Sequence, residues 1–181
     1  MEGNIKRIIN LIFEIGTLQN IIRGDRQVLR GENSTVAAHS FRCAIIGYFL
    51  AKLENVNEDK VIKMCLFHDI CETRIGDANF LNKFYIQQDI ERAYKDQLEG
   101  LAPEIVALLD EFIKGETREA IVAKDADVLE QIFTQREIIS SNDFKRWHEF
   151  QHKKLKTNSA KIISKRVAET NPLEWVYNFP H

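Results

Sequence analysis

Turn-forming residues are scarce in this chain: 8 Gly and 3 Pro among 181 residues. That is about half their usual combined share of roughly 12%. Hairpins, bulges and tight loops consume these two residues. The scarcity argues against a sandwich or barrel of many strands and predicts an all-α fold. One domain of this length buries about 70% of the surface its unfolded chain exposes. The 44% hydrophobic share supplies a core and the 29% charged share covers it, which excludes disordered, collagen-like and disulfide-scaffold classes.

Apolar spacing places the helices. Ile5, Ile8, Ile9, Ile12 and Phe13 recur at three and four residues, predicting an amphipathic helix that ends near Gly16. Residues 16–33, with Gly16, Gly24, Gly31, Arg23, Arg26 and Arg30, read as a loop. Asn33 or Ser34 can cap a second helix running to Leu53, with Phe41, Ala44, Ile45, Tyr48 and Leu53 on its inner face. Asn57 can cap a third over residues 58–72, apolar nearly all round from Val61 to Phe67 and hence central and buried. A break follows at 74–82. Further helices are expected near 86–99, 103–113 (Pro103 in its first turn), from Thr117 to about Ile139, and near 158–169.

Charge is segregated. Residues 86–131 carry 12 acidic and 5 basic side chains, whereas 144–168 carry 8 basic and 1 acidic. Two solvated faces that attract each other or a neighbouring subunit account for this, as would a lure for an anionic ligand. The overall charge of −2 gives no nucleic-acid signature, and we assign Trp147 and Phe150 in the basic stretch to burial. Cys43, Cys65 and Cys71 form no CxxC and read as reduced thiols. No apolar run approaches the ~20 residues of a membrane span and no signal peptide is visible, so a soluble cytoplasmic protein is expected.

Chemistry concentrates where the apolar segment 64–67 closes on His68-Asp69. An ionised Asp at a buried helix end is destabilising unless paired or metal-bound. On one continuous helix, Glu72 would share a face with His68. His39 and Asp127 sit on two other apolar helices, in Thr35-Val-Ala-Ala-His39-Ser40 and Lys124-Asp-Ala-Asp127-Val-Leu-Glu130. Two His and two Asp leave open positions on a six-coordinate ion, which suits Mn, Fe, Co, Ni or Mg better than a closed structural zinc site.

The order H…HD…D, with HD extended to His68-Asp-Ile-Cys-Glu72 and then Gly76-Asp77, resembles the HD-domain metal-dependent phosphohydrolases, and among them the 5'-deoxynucleotidase branch. The resemblance covers about residues 18–135. It implies a single helical HD-domain bundle with the C-terminal helices, about 143–170, packed on that core. It implies one divalent ion (Mn, Co, Fe, Ni, Mg or Zn) held by His39, His68, Asp69 and Asp127, with Glu72 and Asp77 in water activation and substrate contact. Arg23 falls on the phosphate, and Lys83 is a second candidate there. The implied substrate is a nucleoside 5'-monophosphate, and the implied assembly a homodimer. The family's loop carries a Trp soon after the Arg; here it reads Arg23-Gly-Asp-Arg26.

Other readings stay open. The same site could hydrolyse a nucleoside triphosphate, an alarmone or a cyclic nucleotide, or bind metal without turnover. His148-Glu-Phe-Gln-His152 is formally the HExxH of zinc proteases. Its basic flanks and the lack of a convincing strand argue instead for two exposed histidines. No P-loop, GxGxxG or GxSxG occurs.

Overall fold

The computed structural model describes residues 2–28, 34–139 and 141–179. Its helices are α1 (Glu2–Gly16), α2 (Gly24–Val28), α3 (Val36–Glu54), α4 (Glu58–Phe67), α5 (Glu72–Ile75), α6 (Ile90–Leu98), α7 (Pro103–Lys114), α8 (Arg118–Ile138), α9 (Ser141–His152), α10 (Asn158–Glu169) and α11 (Glu174–Tyr177). No sheet forms among the described residues; one isolated bridge pairs Ile22 with Thr35. The all-α expectation holds.

Polar side chains start the long helices by accepting the free backbone N–H three residues on. Thr35 does so for α3, Asn57 for α4, Thr117 for α8 and Thr157 for α10. The cap of α3 is thus Thr35 rather than Ser34; Asn33 lies outside the described residues. Helices α3, α4 and α8 pack on one another around Cys43, Leu50, Met64, Ala123, Leu129 and Ile132, with α9, α10 and the turn between them adding Phe144, Val167 and Leu155. A second cluster joins Ile70 and Cys71 to Tyr94, Leu98, Ile105 and Leu109 of α6 and α7.

Two predicted faces differ from expectation. Of the residues expected on the inner face of α3, Ala44 is buried and Tyr48 half-buried. Phe41, Ile45 and Leu53 of α3 point outward, and the buried side carries Val36, His39, Ser40, Cys43, Ala44, Gly47, Leu50 and Ala51. The cause is close packing. A Cβ on Gly47 would lie 2.7 Å from Cys65 Sγ and 3.0 Å from Val61 Cγ1, so α4 approaches where α3 offers small residues. Helix α1 forms as expected, but Ile5, Ile8, Ile9, Ile12 and Phe13 are all exposed. It is anchored instead by Leu11 and Ile15 on the second cluster and by the Glu14–Arg74 ion pair.

Contrary to expectation, α3 is long and apolar enough to cross a membrane by length and composition, with a mean hydropathy of 1.2; 44% of that stretch is buried inside the protein. Its packing against α4 and α8 explains the composition.

The third predicted helix is also interrupted. Helix α4 stops at Phe67, residues 68–71 turn, and α5 begins at Glu72. His68 and Glu72 therefore do not share a continuous helical face. Leu66 is half exposed, so α4 is not buried on every side. The turn re-aims the chain so that Asp69 faces His39 of α3 and His68 at the end of α4.

Candidate metal centre and adjoining cavity

His39 comes from the first turn of α3, His68 from the C-cap of α4, Asp69 from the following turn, and Asp127 from the middle of α8. Their donor atoms meet. His39 Nε2 lies 3.3 Å from His68 Nε2, 3.3 Å from Asp127 Oδ1 and 3.6 Å from Asp69 Oδ2. His68 Nε2 lies 3.2 Å from Asp69 Oδ2. Ligand atoms about 2.1 Å from a shared ion would be spaced by about 3.0–3.4 Å, so the observed separations match a common centre.

The outer nitrogens decide which lone pairs face inward. His39 Nδ1 donates to Glu130 Oε2 at 2.5 Å, and His68 Nδ1 donates to the Cys65 carbonyl at 2.8 Å. Both acceptors require a proton on Nδ1, leaving each Nε2 to present its lone pair to the centre. Glu130 is itself held by Arg42 Nε at 2.9 Å and by Thr134 Oγ1 at 2.7 Å.

Electrostatics make the same demand. Burial opposes charge on His39, yet hydrogen bonds to Asp127 and Glu130 raise its pKa above the ordinary histidine value. His68 is pushed up to about 10: burial opposes this, and the Asp69 charge prevails. Burial likewise opposes ionisation of Asp69 and Asp127, yet both are lowered, Asp69 by His68 and Asp127, to about 2, by His39. The cluster requires positive charge at its centre. A divalent cation between the two Nε2 atoms would supply it. Cys43 Sγ also lies near both imidazoles, but burial holds its thiol far above the usual range and leaves it a poor donor.

The remaining predicted residues surround this centre in distinct ways. Arg23 Nη1 donates to Asp69 Oδ2 at 2.9 Å and pairs with Asp77 Oδ2 at 3.0 Å. Asp77 Oδ2 also accepts from Gly24 N at 2.9 Å, which clamps the Arg23 segment to residues 77–79. That contact needs glycine: a Cβ at Gly24 would lie 2.7 Å from Asn79 N. Glu72 is half-buried with its Oε2 buried and unpartnered, and burial together with the charges of Asp69 and Asp77 pushes its carboxyl up to about 9.

Two cavities adjoin the cluster and share Ala78 and Lys83 in their walls. The smaller, about 170 Å³, is lined by His68, Asp69, Glu72 and Asp127. The larger, about 660 Å³, has Arg23 and Asp77 on one side and Arg146, Trp147, Phe150 and Lys154 of α9 and the turn after it on the other. Part of the basic stretch therefore faces this cavity.

The HExxH histidines are neither exposed nor near these donors. His148 Nε2 and His152 Nδ1 each lie 2.9 Å from Ser164 Oγ, a buried hydroxyl on α10. They pin α9 to α10. Sequence reasoning assigned no role to Glu130, Arg42 or the Cys65 carbonyl. Glu130 was visible as the last residue of the Asp127 motif; nothing marked the other two.

A family profile described as HD domain matches residues 15–171. The 5'-deoxynucleotidase HDDC2 of Dictyostelium discoideum is 31% identical over 112 residues, which span 54% of this chain and 59% of that relative. A conserved hypothetical protein from Pyrococcus furiosus is 26% identical with a TM-score of 0.69, covering 90% of this chain and 99% of its own. The HD phosphohydrolase DatZ of cyanophage S-2L, solved with dA and one catalytic Zn2+, has a TM-score of 0.61 at 14% identity, over 87% of this chain and 96% of its own, and shows likeness of fold.

Proposed function

The chain belongs to the HD-domain family of metal-dependent phosphohydrolases, and on that premise we propose that it releases phosphate from (deoxy)nucleoside 5'-monophosphates. The observation that carries this reading is the convergence of two imidazole Nε2 atoms and two carboxylates beside an oriented guanidinium that also lines a cavity of nucleotide dimensions. The 5'-deoxynucleotidase relative supports the choice of a monophosphate.

His39, His68, Asp69 and Asp127 would hold one divalent ion. When bound, such an ion acidifies water and polarises a phosphoryl oxygen. Arg23 is the group that meets the phosphate. Its fork is already aimed by Asp69 and Asp77, so charge growing on the phosphoryl oxygens is neutralised without reorganisation. Glu72 Oε2, buried and without a partner, is placed to orient the attacking water. Asp77 acts through Arg23 and Gly24 by fixing their loop. Lys83, in the wall common to both cavities, is a second cation available to the phosphate.

The test is a screen of nucleoside mono-, di- and triphosphates with added Mn, Co, Mg or Zn, reading the released anion. Orthophosphate from monophosphates is the expected product, and chelation or Asp69→Ala should remove it. Triphosphate or pyrophosphate as product moves the assignment to another ester, and wild-type turnover by Asp69→Ala overturns it.

A further inference from the structure

The larger cavity holds a feature that hydrolysis of a phosphate ester does not need. Gln135 and Gln151 are 1% and 4% exposed, both line the cavity, and the Oε1 atom of each is buried without a hydrogen-bond partner. Orphaned buried acceptors are rare in folded proteins, because each has lost water and gained nothing.

The orientation of Gln151 follows from the cluster next door. The Asp127 carboxylate can only accept, so Gln131 turns its Nε2 toward Asp127 Oδ1 at 3.4 Å. Gln131 Oε1 then faces the other way and accepts from Gln151 Nε2 at 3.0 Å. Gln151 is left with its carbonyl oxygen as the free end. A relay of two amides thus makes an acceptor of Gln151 Oε1. Gln135 stands one turn beyond Gln131 on the same helix.

Aromatic rings complete the wall. Trp147 meets Phe80 edge to face with centroids 5.7 Å apart, and Phe150 lies at 6.3 Å from Trp147. All three line the cavity. An indole face offered to a cavity is a stacking platform for a planar heterocycle.

We infer that this wall is the nucleobase subsite, and that Gln135 Oε1 and Gln151 Oε1 select bases with an exocyclic amine, adenine, cytosine or guanine, over thymine and uracil. An amino group brings two N–H donors to two waiting acceptors. Thymine and uracil bring one imide N–H flanked by two carbonyl oxygens, which would be set against the glutamine oxygens. A site built to satisfy hydrogen bonds rejects a ligand that leaves them unpaired. The inference rests on the proposed reading in placing a nucleotide in this cavity.

Nucleosides without phosphate separate the two claims. The chain has 2 Trp, Trp147 and Trp175, so Trp175→Phe leaves Trp147 as the sole indole reporter. In the metal-loaded Trp175→Phe protein, deoxyadenosine and deoxycytidine should quench its fluorescence saturably. Their apparent Kd should be at least about tenfold below that of thymidine. Gln151→Leu should shrink that ratio, and the unsubstituted amide's ratio stands as the reading if Gln151→Leu does not fold. Equal response to all nucleosides, or no response, overturns the subsite. Amine-dependent quenching in a protein that releases no phosphate keeps the subsite and overturns the phosphomonoesterase; phosphate release without base-dependent quenching does the reverse.

Discussion

The donor cluster between α3, α4 and α8 and the cavity wall built from α9 and residues 77–83 treat their polar atoms in opposite ways. In the cluster, each imidazole Nδ1 has a partner and even the partner Glu130 is held by Arg42 and Thr134. Along the wall, two glutamine oxygens stay unpaired and Phe80 and Phe150 are largely exposed. Charge must be positioned to within fractions of an ångström to act on a reacting phosphate, and a rigid surround does that. Recognition of a planar base tolerates looser aromatic surfaces and keeps its acceptors free for the ligand.

Substitutions that turn one region into the other expose the difference. The largest effect is expected from Asp69→Ala, which removes a donor, frees Arg23 and leaves the histidines without their counter-charge. Lewis-acid activation is worth several kcal/mol, so phosphate release should fall about 1,000-fold or more. Glu130→Gln tests the surround rather than the donors. With the His39 Nδ1 partner weakened, metal affinity should drop about 10- to 100-fold in a metal titration, whereas nucleoside quenching at Trp147 should not move.

Gly24→Ala strikes the seam between the regions. The added methyl collides with Asn79 N and the Asp77 carbonyl, and relief pulls Arg23 from Asp69. A loss of about 1–3 kcal/mol in denaturant unfolding is expected, with phosphate release reduced alongside it. If activity falls while stability does not, the clamp serves Arg23 alone.

The smallest effect belongs to the periphery, where neither rule applies. Hydrogen bonding to Arg74, helped by Gln97 and Thr73, holds the Glu14 carboxyl down at about 2. A folded-state pKa below the unfolded value means its contribution is present above about pH 4.5 and is lost as pH falls toward 2. Solvent screening limits that contribution to no more than about 1 kcal/mol. The difference in thermal midpoint between wild type and Glu14→Gln should be measurable at pH 7 and shrink at pH 3.

Much of the site was legible before the fold. Residue type and order brought His39, His68, Asp69 and Asp127 forward, because buried imidazoles and carboxylates need a reason to be in apolar helices. Arg23 entered through resemblance, and the structure pairs it with Asp69. The supporting atoms were not legible. Glu130 lies 91 residues from His39 in the chain, and its role follows only from α8 crossing α3 at that height. The Cys65 carbonyl leaves no trace in composition, and glutamines at 131, 135 and 151 look like ordinary solvent-facing side chains until two of them are found buried.

By itself the amino-acid order determined that the chain is helical, where most helices begin, and which side chains are the candidates for the chemistry. Scarce Gly and Pro, capping residues and apolar spacing act through local backbone physics and need no tertiary partner. Tertiary packing alone decided which face of α3 turned inward. Both faces are apolar, Phe41, Ile45 and Leu53 on one and Cys43, Ala44, Gly47 and Ala51 on the other. The small-residue face won because it lets α4 approach within contact of Gly47, which no periodicity within a single helix can report. The same approach faces His39 toward His68 and makes a site of separate residues.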